Sequence, residues 1–297
     1  MSRLALNTCP LCGGEELKKK LDVVDFSISK KTFEIKQCAT CDFVFTANPP
    51  SAESIAPYYD SEVYISHSDT KRGFVNGIYH RVRNYMFYRK FRLVERLGEN
   101  KSLLDIGSGT GYFLNYMKEK GYETQGIEIN EIARENSKNK FGLKVDLPET
   151  LLNGVLKEKF GTITLWHVLE HLYDAYDYMA AIKDRLEEDG TLIIAVPNHE
   201  SFDETAFEQH WAGYDVPRHL WHFSPITLEK FAKKNGFKLM ETKILPFDSF
   251  YVAILSGQYR NDMFHMIKGM LIGFVSLVNG LLNSKKASSV IYILKKA

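Results

Sequence analysis

Four cysteines are all that the 297 residues contain, and none lies beyond Cys41. The chain opens MSRLALNTCPLCGG, without a long apolar stretch or a small-residue cleavage site. That opening shows no secretory signature, so the thiols are read as metal ligands rather than as a disulfide framework. Charge of one sign is also lacking: 38 Lys and Arg face 37 Asp and Glu, a net charge of +1. This balance argues against a polycation that coats nucleic acid or membrane wholesale. Internal repeats and low-complexity tracts are absent from the sequence. What is present is apolar bulk: 44% hydrophobic residues with 19 Phe, 16 Tyr and 3 Trp, ample burial to offset chain entropy. The length suits one large or two modest domains.

Composition divides the chain into residues 1–46, which hold every cysteine, a segment 47–100, and the remainder, 101–297. The middle segment begins ANPPSAESIAPYY, rich in Pro, Ala and Ser as a linker would be. It continues with Ile78, Val82, Tyr85, Met86, Leu93 and Leu97 at helical spacing. From Lys101 onward, short apolar runs alternate with amphipathic stretches, as in βα units around a parallel sheet. The predicted strands are 102–106, 123–129, 143–146, 160–166, 191–197, 237–245 and 288–296.

Cys9-Pro-Leu-Cys12 and Cys38-Ala-Thr-Cys41 form two CxxC pairs separated by 25 residues. A two-residue spacer lets a tight turn aim both sulfurs at one ion, and two such turns close a tetrahedral shell of thiolates. Alternating residues in FSISKKTFEIKQ predict a β-hairpin between the pairs. The module resembles a zinc ribbon, with Cys9, Cys12, Cys38 and Cys41 as ligands of a structural zinc. So short a segment buries little core, which leaves the metal to supply much of its folding energy.

The most informative stretch is Leu103-Leu104-Asp105-Ile106-Gly107-Ser108-Gly109-Thr110-Gly111, an apolar strand running into three alternate glycines and then a helix. Glycines there permit a tight turn and close approach of a ligand at the carboxyl edge of a sheet. The spacing GxGxG is not the GxGxxG of dinucleotide binders. Seventeen residues after Gly111, Glu128 ends the strand GIEI, placed to accept hydrogen bonds from two ribose hydroxyls.

Together these residues resemble the class I S-adenosylmethionine-dependent methyltransferases, over about 79–297 and most strongly over 103–198. The resemblance implies an α/β fold, a seven-stranded, mostly parallel, doubly wound Rossmann-like sheet whose last strand is antiparallel, beside the small N-terminal β ribbon. It implies that Asp105, Gly107, Gly109 and Gly111 surround the methionine moiety, that Glu128 holds the ribose and that Asp146 lies near the adenine. Trp166-His167-Val168-Leu169-Glu170-His171 matches the family's fourth-strand motif, so His167 completes the cofactor edge. Gly161 departs from the family, whose members usually carry Asp there.

Two classes of acceptor are carried: an oxygen of a small molecule or glycan envelope precursor, and, less favoured, RNA gripped by the ribbon and by a basic run of eight Lys and Arg between Lys71 and Arg96. The expected location is cytoplasmic. After the fifth strand, Trp211, Tyr214, Arg218 and His219 gather with Trp221 and His222, as in a lid over an acceptor. Arg218 has two readings: it pairs with an anionic acceptor group, or it forms an ion pair with Asp215. Met263 to Leu282 form a long apolar insert within 248–284, where the family usually has a short connection. Its stripe Met263, Ile267, Met270, Leu271, Phe274, Val278 and Leu281 predicts packing over the pocket, a dimer interface or peripheral contact with a membrane. The cluster His167, Glu170, His171 has three readings: pocket wall; general base, with His167 favoured over His171; or a divalent-metal site completed by His219 or His222. A zinc-protease reading of HxxEH fails because that motif needs a helix, and FGTITLW is a strand.

Overall fold

The computed structural model describes residues 4–59, 74–98 and 100–297. Lys71 and Arg72 of the basic run, part of the 47–100 segment and the side chain of Ile78 lie outside the described residues.

The first three strands, β1 (Leu17–Val24), β2 (Thr32–Cys38) and β3 (Val44–Thr46), form an antiparallel meander. The hairpin is shifted from its expected place: Phe26–Ser29 turn, and the first strand runs earlier. The cause is Asp25, whose carboxylate accepts the N–H groups of Ser27, Ile28 and Ser29 and so fixes a turn where alternation suggested a strand. A fourth strand, β9 (Trp221–His222), comes from far along the chain and pairs antiparallel with β3, Phe45 opposite Trp221.

Two 3₁₀ turns (Ala52–Ser54 and Ala56–Tyr58) lead toward helix α1 (Phe74–Leu97). Then β4 (Ser102–Ile106), α2 (Tyr112–Glu119), β5 (Glu123–Ile127), α3 (Glu131–Phe141), β6 (Lys144–Asp146), α4 (Pro148–Leu152) and β7 (Phe160–Trp166) follow. Next come α5 (Ala175–Arg185), β8 (Leu186–Pro197) and α6 (Phe202–Phe207). After β9 the chain forms α7 (Pro225–Lys234), β10 (Phe237–Ile244), α8 (Asp248–Tyr259), α9 (His265–Leu282) and β11 (Ser289–Lys296). Ser224 caps α7 ahead of Pro225, and a capping box with Thr227 completes the start that Ser-Pro predicts.

The seven-stranded sheet has the order β10-β11-β8-β7-β4-β5-β6. Neighbours from β6 to β8 pair parallel, and β11 runs antiparallel to both β8 and β10. Leu103, Leu104, Ile163, Leu165, Ile193 and Ile194 are buried on alternate faces, which is why these strands read as continuous apolar runs. Gly161 in β7 has a local reason: a Cβ there would fall 2.1 Å from Asn100 Oδ1, so the Asn100 side chain occupies the space a larger residue needs.

In the insert, α8 and α9 pack as a hairpin, and the face that α9 buries is Gly269, Gly273, Ser276 and Gly280. A Cβ at Gly269 would lie 2.6 Å from Ile254 Cα, and one at Gly273 2.8 Å from Phe250 Cα, so the two helices touch backbone to backbone. The expected packing of the large apolar stripe over a pocket is therefore corrected. Met263, Ile267, Met270, Leu271, Phe274 and Leu281 point outward.

Candidate functional site

The ends of β6, β5, β4 and β7 stand side by side, and each delivers one expected site residue to the carboxyl edge of the sheet. Leaving β4, the chain turns through Gly107, Gly109 and Gly111, all at positive φ. At Gly109 a Cβ would meet nothing within 4 Å, so the backbone there faces open space, the cradle a bound group needs. Gly109 N–H donates to Glu128 Oε2 at 2.8 Å, and Asn130 N–H holds the other carboxylate oxygen at 2.8 Å. Asp105 is buried and accepts the Thr164 hydroxyl at 2.6 Å; burial pushes its pKa up to about 7 against the pull of Thr164 and Lys90. Asp146 accepts from Gln125 Nε2 at 2.7 Å and borders a cleft of about 440 Å³ with Leu147 and Arg134.

His167 follows β7 in the left-handed region, φ 57°. His167 Nδ1 lies 3.3 Å from Glu170 Oε1, which makes Nδ1 the protonated nitrogen and leaves Nε2 with its lone pair. That Nε2 is 3.8 Å from Asp248 Oδ2 and has no hydrogen-bond partner among the described residues. Burial opposes its protonation, but Asp248 and Glu170 outweigh burial and hold the pKa above the usual histidine value. Ser108 Oγ, Trp166 Nε1 and Glu170 Oε2 are likewise buried without partners among the described residues. Four such orphaned atoms at one sheet edge mark a place built to receive something.

His171 is different. Burial and the neighbouring His219 lower its pKa to about 4, so it is neutral near pH 7. Its Nδ1 lies 3.1 Å from the Arg218 carbonyl and 3.1 Å from Tyr59 Oη. The His219 ring is 4.5 Å away, with Nδ1 donating to the Gly213 carbonyl at 2.9 Å. One ligand atom each from Glu170, His171 and His219 lies within 4.8 Å of the others. His222 stays outside this trio, with its Nε2 3.1 Å from the Thr46 hydroxyl.

The expected acceptor roles of Trp211 and Tyr214 are corrected, and of the two readings of Arg218 the ion pair with Asp215 is the one seen. Trp211 and Tyr214 are core side chains: Trp211 Nε1 donates to Asp203 at 2.7 Å, and the Tyr214 hydroxyl donates to Glu204 at 2.5 Å. Arg218 is buried and donates twice to Asp215, once to Asp25 and once to the Tyr58 carbonyl. Its charge is neutralised inside the protein, which leaves it unavailable to an anionic acceptor. The segment expected as a lid is a buried junction between the small sheet and the large one.

Two residues at the site escape sequence reasoning. Lys90 on α1 lies over Trp166, 4.2 Å from the ring, and faces Asp105 and Asp248; burial lowers its pKa to about 8. Asp248 heads α8. A signal for Lys90 existed: it interrupts the apolar spacing of Met86, Lys90 and Val94.

In the N-terminal module, Cys9 Sγ lies 3.5 Å from Cys41 Sγ, and Cys12 Sγ lies 3.6 Å from Cys38 Sγ. Disulfides need about 2.05 Å. A zinc ion with bonds of about 2.3 Å sets tetrahedral sulfurs about 3.8 Å apart, close to what is seen. Burial opposes ionisation of Cys38, yet the N–H groups of Cys41 and Thr40 bring its pKa down to about 7.

Sheet order and glycine loop define a Rossmann-like α/β fold, and comparison with known proteins agrees. Residues 80–242, more than half of the chain, match the model of the methyltransferase domain family, to which the chain belongs. Ubiquinone biosynthesis O-methyltransferase of Actinobacillus pleuropneumoniae serotype 5b is 29% identical over 109 residues, covering 33% of this chain and 46% of that protein. The protein of the same name from Dinoroseobacter shibae is 26% identical over 158 residues, covering 49% and 63%. The chain thus spans about half the length of the curated relatives it matches. Its fold is similar to that of magnesium protoporphyrin IX methyltransferase from Synechocystis PCC 6803, solved with bound SAH: TM-score 0.52, 14% identity, 81% of this chain and 97% of that one. The chain thus carries a methyltransferase domain on a Rossmann-like α/β fold.

Proposed function

We propose that the methyl group goes to an oxygen of a small-molecule or glycan acceptor, with His167 as the general base. The observation that carries this reading is the unpartnered Nε2 of His167, whose opposite nitrogen is held by Glu170, at the sheet edge beside the glycine loop. The names of the matched relatives support an oxygen acceptor, and nothing in them supports RNA.

When bound, S-adenosylmethionine supplies a sulfonium methyl already activated for displacement. Glu128 and the loop around Gly109 are the residues that would hold it, with Asp105 beneath the loop and Asp146 on the adenine side. The chain's remaining work is alignment and proton removal. His167 Nε2 takes the proton of the acceptor hydroxyl, and the imidazolium so formed is stabilised by Glu170 on one nitrogen and Asp248 near the other. His167→Ala is expected to lower kcat about 100-fold while leaving S-adenosylmethionine affinity unchanged by calorimetry. Release of S-adenosylhomocysteine from labelled cofactor, with fractionated extract as acceptor source, provides the assay; full activity in the variant refutes the base.

The trio Glu170, His171 and His219 favours a second reading, a divalent ion that orients and acidifies the hydroxyl. Each histidine directs Nδ1 at a backbone carbonyl, the outer arrangement that presents Nε2 to a metal. Activity abolished by EDTA and restored by Mg²⁺ or Mn²⁺ would select it over the base.

The cysteine cluster carries the proposal of a structural zinc, supported by sulfur separations that fit a tetrahedral ion. Elemental analysis of chelator-free protein should give about one zinc per chain, and none in Cys38→Ser. Thiolate ligation suits a reducing compartment, and with it a cytoplasmic location.

A further inference from the structure

The α8–α9 hairpin is turned inside out relative to an ordinary surface helix. Its small residues face the protein, and its large apolar ones face away. Met263 is 84% exposed, Leu271 63%, Phe274 57% and Leu282 82%, with Phe264, Met266, Ile267, Met270 and Leu281 on the same outer surface. Contiguous apolar surface of this extent marks a contact site.

Charge identifies what covers it. Between Arg260 and Lys286 there are four cations, Arg260, Lys268, Lys285 and Lys286, and a single acid. That acid, Asp262, is bound by Arg260 at 2.7 Å and by Lys268 at 3.4 Å, so the rim retains three net positive charges. A second copy meeting this face across a two-fold axis would oppose one positive rim to another. An anionic bilayer opposes it with the complementary sign and accepts the apolar side chains without needing a matched surface. Just before α8, Phe247 meets Tyr85 of α1 edge-on at 5.7 Å, and Arg89 lies over Tyr85.

We propose that the outer face of α9 docks on anionic lipid, with the helix lying in the interface. Among the described residues α9 is the one helix long and apolar enough to cross a membrane, but it cannot do so in this fold. Its small face is packed along α8, and a few residues beyond its end β11 enters the sheet between β8 and β10. A helix on the surface with Lys at its polar edge and Met, Leu and Phe below is the interfacial arrangement. Asp248 heads the same hairpin 3.8 Å from His167 Nε2, so the docked surface and the candidate base share one element.

Flotation of the full chain with phosphatidylglycerol/phosphatidylcholine vesicles tests this. Each lysine or arginine near an anionic surface contributes about fivefold, so three net charges predict about 100-fold tighter binding than to pure phosphatidylcholine. The double variant Leu271→Glu/Phe274→Glu changes exposed positions only. It should keep its circular dichroism and cofactor affinity and lose at least ~10-fold in vesicle binding. Protein that stays at the bottom with anionic vesicles overturns the proposal. So does equal binding to neutral vesicles, and so does a dimer in sedimentation that the double variant dissociates while vesicles bind neither form.

Discussion

His167 lies between two carboxylates, and this sets the direction of its pH response. Asp248 and Glu170 raise its pKa above the usual value against the effect of burial. A base works unprotonated, so kcat/KM should rise with pH through a point above about 6.5. Removing the Asp248 charge lowers that pKa. In Asp248→Asn the acid limb of the profile should therefore move to lower pH, and below the wild-type limb the variant should retain the larger fraction of its own maximum. A limb that stays in place would show that Asp248 acts on something else. The pairing was not legible in the sequence because the two residues are 81 positions apart and no local pattern links them. The His167–Glu170 pair is three apart and was visible. The glycine loop was legible for the same reason: strand, turn and helix are contiguous, and each glycine acts on its own backbone.

Buried Asp203 on α6 joins elements that are far apart in the chain. It accepts Trp211 Nε1 at 2.7 Å, the Ser276 hydroxyl of α9 at 2.6 Å and the Ser288 hydroxyl before β11 at 2.7 Å. Asp203→Ala leaves three buried donors without an acceptor, at about 1–3 kcal/mol each where no water replaces it. A loss of at least ~3 kcal/mol in urea unfolding is expected, while Ser276→Ala, which removes one donor together with its need, should cost about 1 kcal/mol. Equal small losses in both would mean the carboxylate is solvated. The insert shows where reading elements from sequence goes astray. A helical wheel of α9 has two candidate buried faces, one large and apolar, one small. Hydrophobicity favours the first, yet Gly269, Gly273, Ser276 and Gly280 allow backbone contact with α8 that bulky side chains would forbid. The lid expected at 211–222 failed differently: Trp, His and Arg in one segment describe a pocket wall and a domain junction equally well.

Several histidines shape the stability of the whole molecule. His171 and His199 are held to about 4, chiefly by burial, and His222 well below its ordinary value. Their unfolded-state pKa is near 6.5, so between pH 6.5 and 4 the unfolded chain binds more protons than the folded one, and stability falls as pH falls. Asp105, pushed up to about 7 by burial, has the opposite sign over that range and offsets part of this, while His167, shifted upward, acts above pH 6.5. The urea midpoint should decline from about pH 6.5 downward. Because His199 has both ring nitrogens buried without partners among the described residues, His199→Leu should flatten that decline. An unchanged slope would assign the acid sensitivity elsewhere. The strands of the large sheet were legible at this scale from the alternation of apolar runs, and its antiparallel last strand from the family resemblance; the order in which they pair was not read. The shared small sheet was not, since β9 is two residues long and resembles loop.

That shared sheet has a consequence during synthesis. Phe45 waits for Trp221, and the Thr46 hydroxyl for the carbonyl of His219, a separation of 173 residues. At about 5–20 residues per second, a ribosome needs roughly 9–35 s to supply the missing strand. For that interval β3 is an open edge, and Asp25 and Phe45 are exposed while their partners are still untranslated. An ion held early by the four cysteines would keep the meander closed on its other side until the last strand arrives.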